Sequence, residues 1–173
     1  MGTFINILFF GISFITLAIS GGFATNAAVK LTSIPNYSSN PDLTTAHKYL
    51  SIAAVVTWIT VAAILVLGIL YLIYGDVETG GVFTNLVIYG LLFLSLAATI
   101  TVGILSAIAA DKISKSKVTN DNNARRQAII AAVLALVAGV GLLIGLLVML
   151  FKPSKKKDEK KGELDPSTLE SLI

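Results

Sequence analysis

Residues 83–108 read FTNLVIYGLLFLSLAATITVGILSAI, and residues 4–29 read FINILFFGISFITLAISGGFATNAAV. Set side by side at an offset of 79, Phe4, Asn6, Gly11, Phe14, Leu17, Ala18 and Ala28 fall on Phe83, Asn85, Gly90, Phe93, Leu96, Ala97 and Ala107. A second block follows at an offset of 78, where Ala46, Ile52, Ala53, Ala54, Val55 and Leu65 recur as Ala124, Ile130, Ala131, Ala132, Val133 and Leu143. Two blocks in the same order at nearly the same offset indicate a duplicated helical hairpin. Residues 4–29 and 83–108 are each uncharged and longer than the ~20 residues a helix needs to cross ~30 Å of hydrocarbon.

The rest of the chain agrees. Of its 173 residues, 55% are hydrophobic and 13% charged, with a mean hydropathy of +0.84, which is outside the usual range of soluble domains. Uncharged stretches run from Met1 to Val29, Tyr49 to Gly75, Thr79 to Ala110 and Gln127 to Phe151. No segment alternates in polarity as a membrane barrel requires. The expected fold is all-α, an integral membrane four-helix bundle made of two parallel-repeat helical hairpins. Residues 1–75 form the first hairpin, 76–151 the second, and 152–173 a basic tail with a short docking segment. Two hairpins repeated in the same sense are related by a pseudo-twofold axis along the membrane normal.

Four crossings place both termini on one side with the link containing Asp76 and Glu78. Loops of roughly residues 30–48 and 111–126 fall on the other. Pro35, Asn36, Ser38, Ser39, Asn40, Pro41 and Asp42 make the first loop one of turns more than of regular structure. The positive-inside rule is close to a tie, with seven Lys/Arg on the two-loop side and six on the terminal side. Asn36, Tyr37 and Ser38 form a glycosylation triplet that would put its loop in a lumen if used. Flank and length argue against a cleaved signal peptide at residues 1–24, and Asn6 stands where a myristoylation motif wants Ser or Thr.

In lipid, helices approach closely where small residues allow it. Helix 1 offers Thr16, Ser20, Ala24 and Ala28, and helix 3 the equivalent Ser95, Thr99, Gly103 and Ala107. Helix 4 offers the row Ala131, Ala135, Gly139 and the pair Gly141 and Gly145. Trp58 lies deeper in its span and is expected to pack. Tyr49, Tyr71, Tyr74, Phe83, Tyr89 and Phe151 sit near span ends as an aromatic belt does.

Chemistry is sparse. The uncharged stretches contain no Asp, Glu, Lys, Arg or His, the usual markers of proton relays and ion pathways in membranes. There is no cysteine, and the single histidine, His47, is read as a loop residue with no companion ligands, so no catalytic, metal or cofactor site is expected. Asn6 and Asn85 are read as interfacial. After Phe151, Pro153 stops the helix, and Lys155, Lys156, Lys157, Lys160 and Lys161 belong at headgroups or an acidic partner. Asp165 and Pro166 would start a short helix that brings Leu169, Leu172 and Ile173 together as a docking face.

Uncharged spans with a basic, apolar-tipped tail from Lys152 to Ile173 resemble the small multi-span proteins in the internal membrane of large icosahedral double-stranded DNA viruses. That resemblance is one of architecture and tail. It implies a non-enzymatic minor capsid or virion membrane role, contacts to capsid or other structural proteins through loops and tail, and no nucleic acid. Two other readings stay open. One is a homo-oligomeric pore or transporter subunit lined by Thr57, Thr60, Thr99 and Thr101. The other is a claudin-like four-span adaptor whose terminal Ser171, Leu172 and Ile173 form a PDZ ligand.

Overall fold

The computed structural model describes residues 2–74, 82–116 and 122–151. They form four helices, α1 (Gly2–Thr32), α2 (Pro41–Tyr74), α3 (Val82–Lys115) and α4 (Asn122–Leu150), and one 3-10 turn at Tyr37–Ser39. The link at 75–81, the connection at 117–121 and the tail at 152–173 lie outside the described residues, and with them Asp76, Glu78, all the tail lysines, Leu169, Leu172 and Ile173.

Each helix packs on two neighbours in a closed ring, α1 on α2 and α4, and α3 on α2 and α4. Contacts run in antiparallel register: Ser13 meets Ala138 and Ser20 meets Ala131 across α1 and α4. Gly21 lies against Thr57 across α1 and α2, and Gly139 against Thr99 across α4 and α3. The result is an up-down-up-down four-helix bundle. The C-terminal ends of α1 and α3 and the N-terminal ends of α2 and α4 gather at one end, called here the loop end.

All four helices are long and apolar enough to cross a membrane. Large apolar side chains cover the outside, with Leu72 69% and Phe93 67% exposed, while others such as Leu17, Leu50, Leu92 and Leu142 fill the interior. Small side chains also point inward, with Ala24, Ala27, Ala53, Ala109, Ala128, Ala131 and Ala135 fully buried. Water would not tolerate so continuous an apolar surface, whereas lipid tails solvate it as well as a protein interior would. This is the surface of an integral membrane protein.

The duplication reappears as burial register. Every buried residue of α2 from Ala46 to Leu67 has a buried counterpart 78 positions later, from Ala124 to Gly145. Between α1 with its following turn and α3 the match is partial: Ser13, Ser20, Ala24, Ala27, Leu31 and Ile34 pair with the buried Leu92, Thr99, Gly103, Ser106, Ala110 and Ile113, whereas the counterparts of Phe10, Leu17, Gly21 and Ala28 are not buried. The counterparts differ in size. Leu50, Val61 and Leu67 on α2 correspond to Ala128, Gly139 and Gly145, so α4 offers the smoother face.

Several expectations are corrected here. The stretch 30–48 is mostly helical: α1 continues to Thr32 and α2 starts at Pro41, leaving 33–40 as the connection. Asn40 caps α2, its Oδ1 accepting from the backbone N–H of Asp42 at 3.0 Å and of Leu43 at 3.3 Å, with Pro41 at the first helical position. His47 is therefore a helix residue. Likewise α3 runs through Asp111 to Lys115, while α4 starts at Asn122, close to Arg125 and Arg126 as expected. Charge marks where hydrocarbon ends, not where hydrogen-bonded backbone ends. At 34 residues, α2 is about 51 Å long, well beyond the ~30 Å hydrocarbon core. Trp58, expected to lie deep in its span and to pack, does pack over Gly21, but from the outer face, with 48% of its surface exposed.

Candidate functional site

The interior holds a seam of hydroxyls: Ser13 and Ser20 from α1, Thr57 and Thr60 from α2, and Ser95, Thr99 and Ser106 from α3, each at most 3% exposed. α4 supplies none of them. It supplies backbone instead, because its face of Ala and Gly leaves carbonyls within reach. Ser13 Oγ donates to the carbonyl of Ala138 at 3.2 Å, and Ser20 Oγ to that of Ala131 at 2.8 Å. The two serines are two turns apart on α1 and their acceptors two turns apart on α4, so the helices are fastened twice along one line.

The threonines act differently. Thr57 donates to Ala53, Thr60 to Val56 and Thr99 to Ser95, each four residues back in its own helix at 2.6–2.7 Å. A threonine satisfied this way presents its methyl to the neighbour. The Thr57 Cγ2 methyl fills the space beside Gly21, and that of Thr99 the space beside Gly139. Ser95 Oγ and Ser106 Oγ are buried without a hydrogen-bond partner, as are Asn85 Oδ1 and Gln127 Oε1. Asn85, expected at the interface, is thus partly drawn into the protein. Asn6, its repeat partner, has a side chain outside the described set.

The structure distributes the expected packing residues unevenly. Ser20, Ala24, Ala28, Ser95, Thr99, Gly103, Gly141 and Gly145 are all buried between helices. Gly103 lies under Leu136, Gly141 under Ser13 and Gly145 under Phe10. Thr16 is half-buried and donates to Ile12 in its own helix at 2.7 Å. Ala107 is exposed and takes no part in the α3 contact. A row spaced by four advances ~400° per step around a helix of 3.6 residues per turn, so it drifts ~40° each time. After three steps it has left the buried stripe, which continues through Ser106 and Ala110. Thr101, one of the four threonines of the pore reading, also faces outward and bonds to Ala97.

Ser13 and Ser106 were missed by the sequence reading. The spacing of Ser13, seven residues from Ser20 and fourteen from Ala27, is the sequence signal that places it on the inward face. Chemically the seam can hold helices together. Its acceptors are backbone carbonyls, which orient a hydroxyl but take no proton from it. Among the described residues no group of His, Asp or Glu has the makings of a metal site.

All charged residues among those described lie at the loop end. Lys112 of α3 reaches Asp42 of α2 at 3.0 Å, tying the two hairpins together, while Lys115 pairs with Asp111 one turn back at 2.7 Å. Tyr37 on the 3-10 turn meets the His47 ring edge-on, with centroids 5.5 Å apart and planes at 73°. Asn36, in the glycosylation triplet, is exposed with a left-handed backbone (φ 59°) and no capping bond from its side chain. Lys30, Ser33 and Asn123 edge a shallow hollow of about 230 Å³ between the end of α1 and the start of α4.

The chain matches no family model, curated protein or solved structure. Its reading therefore rests on its own geometry.

Proposed function

We infer that this chain is a non-enzymatic membrane anchor: a rigid bundle that holds a polar loop end and a basic tail at the surfaces of a bilayer for assembly with other proteins. The observation that carries this reading is the bonding of the interior. Five of its seven buried hydroxyls are engaged to backbone carbonyls of the bundle itself, and the described charges stand outside the seam at one end. Binding energy invested in this way stabilises helix contacts and leaves recognition to what protrudes. Following the resemblance to virion membrane proteins, the assembly partner is a protein shell or scaffold, met through the loops and through Lys155 to Ile173.

The test is fractionation of the native source. The full chain is expected to resist alkaline extraction, to co-sediment with a shell or scaffold in mild detergent, and to lose that association when truncated after Lys152. A truncated chain that stays attached removes the tail from the proposal. Ion flux through liposomes containing the full chain, abolished by Thr57→Val and Thr99→Val, would replace the anchor with the pore.

A further inference from the structure

At the loop end the two repeats close differently. Where α3 ends against the start of α2, Lys112 meets Asp42 at 3.0 Å, so that corner supplies its own counter-ion. The equivalent corner, where α1 ends against the start of α4, is the hollow of about 230 Å³ edged by Lys30, Ser33 and Asn123. By the repeat offsets of 79 and 78, Ser33 stands at the place of Lys112, and Asn120, outside the described residues, at the place of Asp42. The ion pair is gone, yet positive charge remains. Lys30 is half-buried at the rim, and Arg126, three residues after Asn123, stands exposed on the same flank of α4. Asp42 and Asp111 are engaged by Lys112 and Lys115, so among the described residues no carboxylate pairs with Lys30 or Arg126.

A second difference lies one turn deeper. Gln127 stands where the first repeat has Tyr49, and it is 8% exposed. Its Nε2 donates to Asn123 Oδ1 at 3.4 Å, which holds the amide against the rim of the hollow and leaves Oε1 buried with no donor. A buried acceptor left in this state is a standing cost that a donor would remove. The corner therefore calls for two things at once: an anion for Lys30 and for the positive end of α4, which begins at Asn122, and a hydrogen-bond donor for Gln127.

We propose that this hollow binds the phosphodiester of one membrane lipid whose headgroup also carries an N–H or O–H donor, as ethanolamine and glycerol headgroups do. Phosphate oxygens accept from Lys30 and from the first turn of α4, and the substituent donates to Gln127 Oε1. Depth favours a lipid over a soluble anion of the same chemistry. Lys30 is the first charged residue after the uncharged run from Met1 to Val29, and Gln127 opens the uncharged run to Phe151, so the hollow lies at the boundary where headgroups sit. The inference rests on the bilayer reading of the helices and goes beyond it. Lipid tails solvate any apolar face, whereas this site retains one molecule selected by its headgroup.

Full-length chain in mild detergent is presented with equal amounts of phosphatidylethanolamine, phosphatidylglycerol and phosphatidylcholine, and retained lipid is read by native mass spectrometry. Thermal unfolding confirms that each variant is folded. One lipid per chain is expected, with the ethanolamine and glycerol lipids retained about fivefold over phosphatidylcholine, which has the same phosphate and no donor. Lys30→Met should lower retention of all three about tenfold. Gln127→Leu should leave phosphatidylcholine unchanged and bring the other two down to its level. Asn123→Asp, which gives the corner a carboxylate of its own, should expel the lipid, while Lys48→Met, at the same end on α2, should change nothing. Equal retention of the three lipids by wild type, or equal retention by wild type and Lys30→Met, overturns the proposal while leaving the membrane placement of the helices intact. Displacement of the lipid by millimolar inorganic phosphate would assign the hollow to a free anion and overturn the lipid source. Failure of the full chain to float with vesicles would instead remove the bilayer reading.

Discussion

A side chain on residue 141 would coincide with the hydroxyl of Ser13. Ser13 stands there because its Oγ reaches past α4's missing Cβ to the carbonyl of Ala138, so glycine at 141 and serine at 13 depend on each other. Gly141→Ala forces the hydroxyl to swing away, losing its bond, or the helices to part. The expected loss is about 1–3 kcal/mol, the usual range for overpacking. Gly139→Ala, whose new methyl would meet Thr99 at an ordinary 3.5 Å, should be neutral or slightly stabilising because alanine favours helix. Gly145→Ala, 3.2 Å from the Phe10 ring, should fall between. Thermal unfolding in one mild detergent checks the order, and in a Ser13→Ala background the cost of Gly141→Ala should shrink.

The two kinds of hydroxyl should separate by mutation. Ser20→Ala removes a bond between helices and is expected to cost about 0.6 kcal/mol, with ~1.7 kcal/mol as the ceiling seen for such bonds in membranes. Thr57→Val keeps the methyl beside Gly21 and removes only a bond within α2, so it should change stability by less than Ser20→Ala. Equal losses would mean that the seam does not fasten α1 to α4.

At the loop end, Asp42 and Lys112 are both about one-third exposed. A double-mutant cycle with Asp42→Asn and Lys112→Met should give a coupling of about 0.2–1 kcal/mol, as partly exposed pairs do, and should weaken as salt rises. A coupling insensitive to salt would mean that the pair is shielded from solvent.

Ala24 and Ala107 stood as equals in the small-residue rows, and the structure separates them. Ala24→Leu, at a fully buried site, should disrupt the bundle, whereas Ala107→Leu, facing outward, should lie within about ±0.5 kcal/mol of wild type. Measured side by side, the pair tests which part of the four-residue row is a packing face.

How much was legible beforehand follows from the solvent. A bilayer demands that every backbone polar group be satisfied inside the protein, by helices or closed barrels, so long uncharged runs without alternating polarity such as 83–108 point to helices, and copying a hairpin repeats its antiparallel pairing. Four helices, their order and their pairing into hairpins were therefore written in the sequence. The ends of the helices were less legible, because Lys48 and Asp111 report where hydrocarbon stops, while α2 and α3 continue past them on packing among Leu43, Ala46, Ala109 and Ile113. The inward faces were least legible. Each helix is apolar all round, so polarity gives no direction, and only residue size distinguishes lipid from neighbour. Size is settled between helices: Ser13 is a contact residue because residue 141 on another helix is glycine. The chain alone determined that it would be helical and fit for a membrane, whereas which hydroxyl meets which carbonyl was decided only when four nearly featureless cylinders closed into a ring.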